Sequence, residues 1–317
     1  MSAEEHELIR RKELLKTTKI DVSNKEWLYM LGAETRHSVA IEGIFTDEKE
    51  LKSVIERADS SPGIDQRVLN YFRAAQFLYD MALQYRDSEQ NPPYILLIRT
   101  LHSQLHKNIT THYAVGQFRK GPVQITNAII KPPFDPQKWI KLWAYYIDHA
   151  LENYFIHEAI ARVHALFEAI HPFYDGNGRV GRLIINFILI TNGYTNIIIK
   201  GLEKKERDHY YKALENADKG ITSLFVNDKL PSLEDLSSTI DRGNFNQLEN
   251  IIYEAMLEST NRTLTMNEPK EELITVPEAA QIINISQTAV KKRIKTGKII
   301  ASKLGTGTWR IPKKYLP

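Results

Sequence analysis

The chain has 317 residues with 42% hydrophobic and 26% charged side chains, enough to bury one large core or two to three smaller ones. It contains no cysteine, which excludes a disulfide scaffold and thiolate chemistry, and no apolar run approaches the roughly 18–20 residues of a membrane span. Because the charged N-terminal residues also lack the apolar segment of a signal peptide, we predict a cytoplasmic protein with no membrane partner.

The net charge of +3 is distributed unevenly along the chain. Residues 270–317 hold ten Lys or Arg against three Glu, which gives this segment +7 and leaves −4 for the rest. Such asymmetry indicates a basic appendage on a mildly acidic body.

Residues 1–90 are predicted to be mostly helical. Apolar residues recur at helical spacing before Gly43, which is suited to end a helix because glycine tolerates a left-handed backbone. A second helix is predicted after an N-cap at Thr46 or Asp47. A longer helix fills residues 64–85, and the turn that contains the prolines at 92 and 93 ends it.

The middle of the chain combines long helices with one β-prone segment. A helix is predicted over residues 93–109, after which Gly and Pro surround two short β-prone runs within residues 123–131. This pattern is typical of a small β-hairpin or flap. Four further helical patterns follow up to residue 220, and residues 221–268 hold more helices and a linker. The body is therefore predicted to be nearly all α with one hairpin.

Residues 171–182, HPFYDGNGRVGR, place charge and glycine between two apolar helical patterns. The glycines allow a sharp turn close to a ligand, and the free N–H groups at the next helix start form an anion site. Arg179 and Arg182 can reach one polyanion, and Asp175 suits a hard cation such as Mg²⁺. His171 can take a proton near neutral pH. The pattern predicts a nucleotide-phosphate site beside a base; a glycine-rich turn with solvated charges is the alternative.

The same twelve residues resemble the signature of the Fic family, His-Pro-Phe-x-Asp-Gly-Asn-Gly-Arg-x-x-Arg, with every fixed position present. The resemblance covers about residues 30–215, since the family shares a helical core with a β-hairpin flap upstream of the signature. It implies transfer of AMP from ATP, with Mg²⁺, to a Ser, Thr or Tyr hydroxyl of a target protein or of the enzyme itself. Phosphorylating members of the Doc type carry Lys where this chain has Gly178, so the resemblance favours nucleotidyl transfer.

The resemblance also implies a role for each signature residue. His171 would deprotonate the target hydroxyl, Asp175 would hold the metal, and Phe173 would anchor the loop. The nucleotide would be bound by Gly176, Asn177, Gly178, Arg179 and Arg182. Tyr210 and Tyr211 resemble the position where family members contact the base or the target, and only one of them can face inward on a helix.

Glu42 lies in the apolar run SVAIEGIF, where an ionised carboxylate is costly unless it is paired. Arg182 has the matching problem, so the pattern suggests that the two charges meet; a Glu42 that faces water is the alternative. Ser38 to Gly43 resemble the inhibitory motif of Fic proteins, Ser/Thr-x-x-x-Glu-Gly/Asn, placed before the core. This resemblance implies that Glu42 pairs with Arg182 and holds the enzyme in a low-activity state.

The segment between residues 116 and 131 is predicted to lie beside the site. Gly116 to Arg119, GQFR, matches the family's usual lead-in to the flap. The flap residues predicted to hold the target by strand addition are Val123, Gln124, Ile125 and Thr126. An ordinary structural hairpin is the alternative. His157 and His164 form no metal-binding pattern and are predicted to be core or capping residues.

The basic segment after residue 270 resembles a small excisionase-like winged helix-turn-helix. Thr275 and Ser286 are predicted N-caps of two helices, and two short strands around residues 305–307 form a hairpin wing. The second helix carries Lys291, Lys292 and Arg293, a cluster that predicts DNA binding. A protein-interaction or dimerisation module of the same fold is the alternative.

The predicted fold class is mainly α, a Fic-like helical core with a β-hairpin flap, plus a small C-terminal winged helix-turn-helix domain. The predicted domains are an N-terminal helical region with the inhibitory motif (1–90), the catalytic core (91–220), a helical linker (221–268) and the winged domain (269–317). The predicted function is a protein adenylyltransferase autoinhibited by Glu42. A de-AMPylase and a nucleotide-sensing DNA-binding regulator are the alternatives, and the sequence leaves open the target and a homodimeric state.

Overall fold

A computed structural model describes residues 2–18, 25–57, 65–88, 90–109, 111–125, 128–226, 229–304 and 307–317. The structure is mainly helical, and its helices are α1 Ala3–Lys16, α2 Lys25–Ile41, α3 Glu48–Arg57, α4 Gln66–Arg86, α5 Tyr94–Leu105, α6 Pro136–Asn153, α7 Ile156–Ile170, α8 Asn177–Thr191, α9 Lys204–Ile221, α10 Leu233–Ile240, α11 Asn246–Met266, α12 Val276–Ile282 and α13 Gln287–Lys295. Its strands are β1 Leu273–Ile274, β2 Ser302–Leu304 and β3 Thr308–Pro312. No helix within these described ranges is long and apolar enough to cross a membrane.

The described chain divides into two compact units. The signature unit comprises the described parts of Val22–Asn192 and Ile198–Ile252. The C-terminal unit comprises the described parts of Met1–Asp21, Gly193–Ile197 and Tyr253–Pro317. The domain boundaries predicted after residues 90, 220 and 268 stay a prediction.

The core of the signature unit is built around α8. This helix is apolar over most of its circumference and buried along nearly its whole length, and it packs against α4, α5 and α7. A helix without a polar face is stable only inside a protein, so its position follows from its sequence. Because α7 is also deeply buried, the loop that joins α7 to α8 starts and ends in the core.

In the first part of the signature unit, capping residues and a glycine determine where two helices begin or end. The Asp47 carboxylate accepts a hydrogen bond from the Glu50 amide at 2.9 Å, so Asp47, rather than Thr46, caps α3. Gly43 has φ +79° just beyond α2, which confirms the predicted stop of that helix. Glu42 therefore lies in the turn immediately after α2.

The C-terminal unit contains a three-stranded antiparallel sheet with α12 and α13 packed on a shared core. The strand order is β1-β3-β2, and Ile274 of β1 lies opposite Ile311 of β3. Ser286 caps α13 by accepting from the Ala289 amide at 3.1 Å, as predicted. The helix-turn-helix and wing, together with the helical signature unit, confirm the predicted fold class. β1 was missed because a two-residue strand has no alternation to detect.

Within the C-terminal unit, α1 is anchored by a fully buried arginine. Arg11 donates from Nε to Asn261 Oδ1 at 2.9 Å and from Nη2 to the Gly297 carbonyl at 2.5 Å. Its Nη1 donates to the Glu7 carboxylate at 2.5 Å, one turn earlier on α1. The planar fork of the guanidinium allows one side chain to join α1, α11 and the residues that follow α13.

The predicted β-hairpin at residues 123–130 does not form paired strands in the part that the structure describes. The Ala128 amide instead donates to the Ile125 carbonyl at 3.2 Å. Prolines at 122, 132 and 133 lack the N–H group that a strand ladder needs, which explains the absence of pairing. Thr126 lies outside the described residues. We call residues 121–134 the flap; its described residues form an extended loop.

Candidate active site

The signature residues form the junction between α7 and α8. α7 ends at Ile170, and His171 adopts a left-handed backbone (φ 50°, ψ 62°) that turns the chain out of the helix. Gly176 has φ 80° and precedes the first residue of α8. A Cβ at Gly176 would lie 2.7 Å from His106 Cε1, so both the backbone angle and the available space require glycine.

The imidazole of His171 is held in one tautomer. Its Nδ1 lies 3.2 Å from the Glu168 carbonyl, which can only accept, so Nδ1 carries the proton and Nε2 keeps a lone pair. Burial lowers the pKa of His171 to about 4, which keeps the ring neutral near pH 7. His171 therefore has the protonation state that a general base requires.

The loop between His171 and α8 is fixed from within. Phe173 is fully buried, and its ring stacks on His102 with 4.1 Å between the ring centroids. The Asn177 side chain accepts from the Phe173 amide and donates to the Phe173 carbonyl, both at 2.9 Å. Since the Asn177 side chain is turned into the loop, its backbone N–H at the start of α8 is the group that it can offer to a ligand.

His102 on α5 also holds this loop, a role that no sequence pattern indicates beyond an apolar helix face. The Gly116 amide donates to His102 Nδ1 at 2.8 Å, so the proton of the neutral ring is on Nε2. Nε2 then donates to the Asp175 carbonyl at 3.2 Å. Burial lowers the pKa of His102 to about 3, which keeps the ring in this neutral form.

Asp175 provides the exposed carboxylate of the junction. Its Oδ2 accepts from Arg179 Nη2 at 3.1 Å and lies 3.4 Å from His106 Nε2. The hydrogen bond with His106 and the charge of Arg179 hold the pKa of Asp175 well below its usual range, so the carboxylate is ionised. One ionised carboxylate plus substrate phosphates is a common donor set for Mg²⁺, and Asp175 fits it. Among the described residues, no group of three or more His, Asp or Glu could hold a metal.

Arg179 offers unused hydrogen-bond donors in a buried position. The residue is 3% exposed, and its Nε and Nη1 have no hydrogen-bond partner within the described ranges. Buried N–H donors without acceptors are costly, so their presence indicates that a bound ligand provides the acceptors. Arg179 lies in the first turn of α8, where backbone N–H groups also lack helical acceptors. This combination suits phosphate oxygens.

Arg182, one turn further along α8, is instead engaged by α2 and the turn that follows it. Its Nε donates to Ser38 Oγ at 2.8 Å, and its Nη2 donates to the Ser38 carbonyl at 3.0 Å and to Glu42 Oε1 at 2.8 Å. Burial opposes the charge of Arg182, but the neighbouring Glu42 carboxylate outweighs it, so the pKa of Arg182 is raised. Arg182 is thus occupied by the chain itself.

Gly178 lies against this ion pair. A Cβ at Gly178 would be 2.5 Å from Glu42 Oε1 and 2.9 Å from Arg182 Nη1. Such separations are shorter than van der Waals contact, so a side chain at this position would require the ends of Glu42 and Arg182 to shift.

Two further contacts anchor α2, and neither was predicted. Glu34 is 2% exposed and accepts hydrogen bonds from the Tyr71 and Tyr79 hydroxyls of α4, at 3.0 and 2.5 Å. Burial and the Glu34 charge raise the pKa of both tyrosines, so both keep the proton that they donate. The Tyr211 hydroxyl donates to the carbonyl of Ile41, the last residue of α2, at 2.7 Å.

A buried polar cluster joins α7, just before His171, to α9. His164 Nε2 is 2.6 Å from the Tyr210 hydroxyl, and His164 Nδ1 is 4.0 Å from Glu168 Oε1. Neither of these last two atoms has a hydrogen-bond partner within the described structure. Burial raises the pKa of Glu168 to about 8 and lowers that of His164 to about 3, so both side chains are neutral near pH 7.

The structure separates the two tyrosines that the sequence could not. Tyr210 is 2% exposed and is the one that faces inward, where it meets His164, whereas Tyr211 is 49% exposed. His157 and His164 are both buried in α7, as predicted. The roles predicted for the tyrosines stay predictions.

The residues predicted to bind macromolecules are solvent-accessible to different degrees. In the flap, Gln124 is exposed, and Val123 and Ile125 are half-buried. On α13, Lys291 and Lys292 are exposed, whereas Arg293 is half-buried. Their target-binding and DNA-binding roles stay predictions.

The family models match the two regions that the sequence analysis singled out. Residues 94–189 match the Fic/DOC family, and this range runs from α5 into α8 and contains the whole signature. The chain contains a Fic domain. Residues 273–316 match a helix-turn-helix domain, which covers the three-stranded sheet with α12 and α13.

The chain is similar to several protein adenylyltransferases. It is 29% identical over 304 residues to a probable protein adenylyltransferase of Aquifex aeolicus, over 92% of this chain and 88% of that protein. It is 27% identical over 195 residues to the protein adenylyltransferase Fic of Drosophila mojavensis, over 60% of this chain but only 37% of that relative. With the intact Fic signature, these relatives assign the chain to the enzymes that transfer AMP.

Solved structures show the same fold. A Fic-domain-containing signaling protein from Bacteroides thetaiotaomicron has a TM-score of 0.62 at 18% identity, over 82% of this chain and 98% of that one. The Fic-1 protein of C. elegans has a TM-score of 0.60 at 17% identity, over 82% and 71% of the two chains. At these identities the likeness supports the fold alone.

Proposed function

We propose that this Fic-domain chain transfers AMP from ATP to a Ser, Thr or Tyr hydroxyl of a target protein and of itself, and that Glu42 restrains the reaction by pairing with Arg182. The observation that carries the proposal is the buried Arg179, whose Nε and Nη1 have no partner among the described residues and which lies at the amide-rich start of α8. The phosphates of a bound nucleotide would satisfy both atoms.

The residues of the junction divide the chemistry between them. The target hydroxyl oxygen forms a bond to the α-phosphorus while His171 Nε2 accepts its proton, and the bond to the leaving pyrophosphate breaks. Arg179 and the first amides of α8 stabilise the negative charge on the phosphate oxygens. Asp175 would hold Mg²⁺, which when bound neutralises part of the same charge.

The pairing of Glu42 with Arg182 supports restraint of this reaction. The carboxylate occupies the guanidinium that a triphosphate would otherwise use, at 2.8 Å, and its charge repels an incoming anion. Ser38 holds the same guanidinium from a second direction. Removing the Glu42 carboxylate is therefore expected to free Arg182 for the nucleotide.

The deciding experiment incubates the full chain carrying Glu42→Gly with Mg²⁺ and ATP labelled at the α-phosphate. We expect covalent label, and an added mass of one AMP, well above the unsubstituted chain. Adding His171→Ala is expected to lower transfer by about 10²–10⁴-fold, because that is the usual contribution of a positioned base. ATP binding, measured by calorimetry, is expected to persist in that double variant.

Two controls make the outcome decisive. ATP labelled at the γ-phosphate should leave no label, whereas label from it would show phosphoryl transfer instead. Chains already modified by Glu42→Gly enzyme are then mixed with the unsubstituted chain, and loss of label with release of AMP would favour the de-AMPylase alternative. If Glu42→Gly enzyme gives no α-label, or His171→Ala leaves labelling unchanged, the proposal is wrong.

We propose DNA binding as a second function, carried by α13. Three lysines of α13 and one just after it are exposed and form no ion pair with any described residue. They are Lys291, Lys292, Lys295 and Lys298. Unpaired cations on the second helix of a helix-turn-helix suit the phosphates that flank a DNA groove. The match of residues 273–316 to a helix-turn-helix domain supports the same assignment.

Fluorescence anisotropy with duplex DNA tests this second function across a range of salt concentrations. We expect the logarithm of affinity to fall by about 0.9 per phosphate contact with the logarithm of salt concentration. Lys291→Glu with Lys292→Glu should weaken binding and flatten the slope, whereas the exposed pair Lys204→Glu with Lys205→Glu on α9 should do neither. Absence of binding at low salt would leave the protein-interaction alternative.

A further inference from the structure

Arg119 is a buried cation that pairs with no carboxylate among the described residues. It is 1% exposed, and its guanidinium donates only to backbone carbonyl oxygens. Burial lowers the pKa of Arg119 to about 10, which still leaves it charged at neutral pH. A charged side chain buried without a counter-ion is unusual. The carbonyl oxygens to which Arg119 donates therefore indicate its role.

Those carbonyls come from three places that are separate in the chain. Nη1 donates to Gly121 at 2.8 Å and to Phe134 at 3.2 Å, which are the two ends of the flap. Nη2 donates to Pro133 at 2.6 Å and to Ile170, the last residue of α7, at 3.1 Å. A single planar group thus closes the base of the flap and fastens it to α7.

The remaining donor reaches the catalytic base. Nε of Arg119 donates to the His171 carbonyl at 2.8 Å, and the Arg119 amide donates to the Pro172 carbonyl at 3.0 Å. His171 has a left-handed backbone, which a residue with a side chain adopts only when its surroundings hold it there. By binding the His171 carbonyl, the Arg119 guanidinium stabilises this backbone conformation on the C-terminal side of His171.

We propose that Arg119 is a positioning residue that couples the flap to the catalytic base, because one guanidinium binds both flap ends and the backbone of His171. The inference rests on the proposed function for the roles of His171 and the flap. A target chain that binds the flap would, through the three flap carbonyls of Gly121, Pro133 and Phe134, hold the same guanidinium that fixes His171. Lysine cannot replace it, since a single ammonium cannot span carbonyls that lie in the plane of a fork.

The test compares Arg119→Lys and Arg119→Gln in the full chain carrying Glu42→Gly. We expect both variants to lower kcat for AMP transfer by about 10²-fold, the usual cost of misplacing a reacting group by an ångström. The KM for ATP should stay within about twofold, because Arg119 makes no contact in the nucleotide site. The matched control is Arg162→Gln, which removes a largely buried guanidinium on α7 that pairs with Asp241 and Glu249.

Hydrogen–deuterium exchange gives a second readout that does not depend on activity. In both Arg119 variants we expect faster amide exchange in residues 121–134 and in residues 171–176 together, and in neither segment for Arg162→Gln. The proposal is overturned if kcat is unchanged, if Arg162→Gln lowers kcat as much, or if only one segment exchanges faster. If the Glu42→Gly chain with intact Arg119 transfers no AMP, the proposed function fails, and the exchange pattern alone then decides whether Arg119 links the two segments.

Discussion

Glu168 lies three residues before His171, and one of its carboxyl oxygens meets no hydrogen-bond donor in the described part of the chain. A Cβ on Gly181 would collide with that oxygen, so the glycine makes room for the carboxyl group. Burial is the main cause of the raised pKa of Glu168, and Glu42 and Asp218 add to it, while Arg182 opposes it. Near His171, therefore, a neutral acid rather than a carboxylate fills the core.

The raised pKa of Glu168 predicts how stability depends on pH. The folded chain holds the proton up to a pH of about 8, whereas the unfolded chain releases it near 4.3, so stability is lost as pH rises between these values. Glu168→Gln, which cannot ionise, should remove this loss and make the variant more stable than the parent at about pH 8.5, by up to about 5 kcal/mol. Urea denaturation at about pH 5 and pH 8.5 measures the difference.

The control for this prediction is Glu254→Gln, at an exposed position of α11. It should shift the free energy of unfolding equally at both pH values. An equal shift from Glu168→Gln would show that Glu168 is ionised in the folded chain.

At the scale of helices, two buried arginines decide where α1 and α2 lie. Arg182 fixes the end of α2 through Ser38 and Glu42, with Glu34 giving the helix a second attachment one turn before Ser38. Arg11 fixes α1 within the C-terminal unit. Both helices are thus docked by specific polar contacts in addition to apolar packing, which makes their attachment sensitive to single substitutions.

Arg11→Met tests this for α1. The change leaves the Asn261 oxygen and the Gly297 carbonyl without their buried donor, so we expect a loss of about 3–5 kcal/mol in the free energy of unfolding. The neighbouring Arg10→Met is the matched control, because Arg10 is only half-buried and, among the described residues, bonds to the same Glu7 alone; its loss should stay below about 1 kcal/mol. Urea denaturation followed by circular dichroism compares them, and equal losses would contradict an anchoring role.

For the whole molecule, the fold class and the position of the signature could be predicted from the sequence, whereas most of the contacts that hold the signature residues in place could not. Helical periodicity and caps located the helices, and the unbroken twelve-residue pattern located the junction of α7 and α8. The resemblance placed Glu42 opposite Arg182, and the structure has the two side chains 2.8 Å apart. The inhibitory consequence of that contact stays a prediction.

The supporting contacts could not be predicted because they join residues far apart in the chain. Arg11 and Gly297 are 286 residues apart, and Arg119 and Ile170 are 51 apart. Periodicity reports which face of a helix is buried but not which carbonyl a buried guanidinium will meet. The flap failed for a different reason, since β-prone residues were counted there without weighing the prolines around them.

The space around Gly178 limits which residue can stand at this position while Glu42 and Arg182 are paired. The space where its side chain would begin is already taken by the Glu42 carboxylate and the Arg182 guanidinium. A lysine at this position, which the resemblance gives to the phosphorylating Doc-type members, would begin where the closed Glu42–Arg182 pair lies, so the ends of those two side chains would have to shift. Under the proposed function, acquiring that lysine would disturb the Glu42–Arg182 contact at the same step, so the absence of one atom, Cβ, links the type of reaction to its restraint.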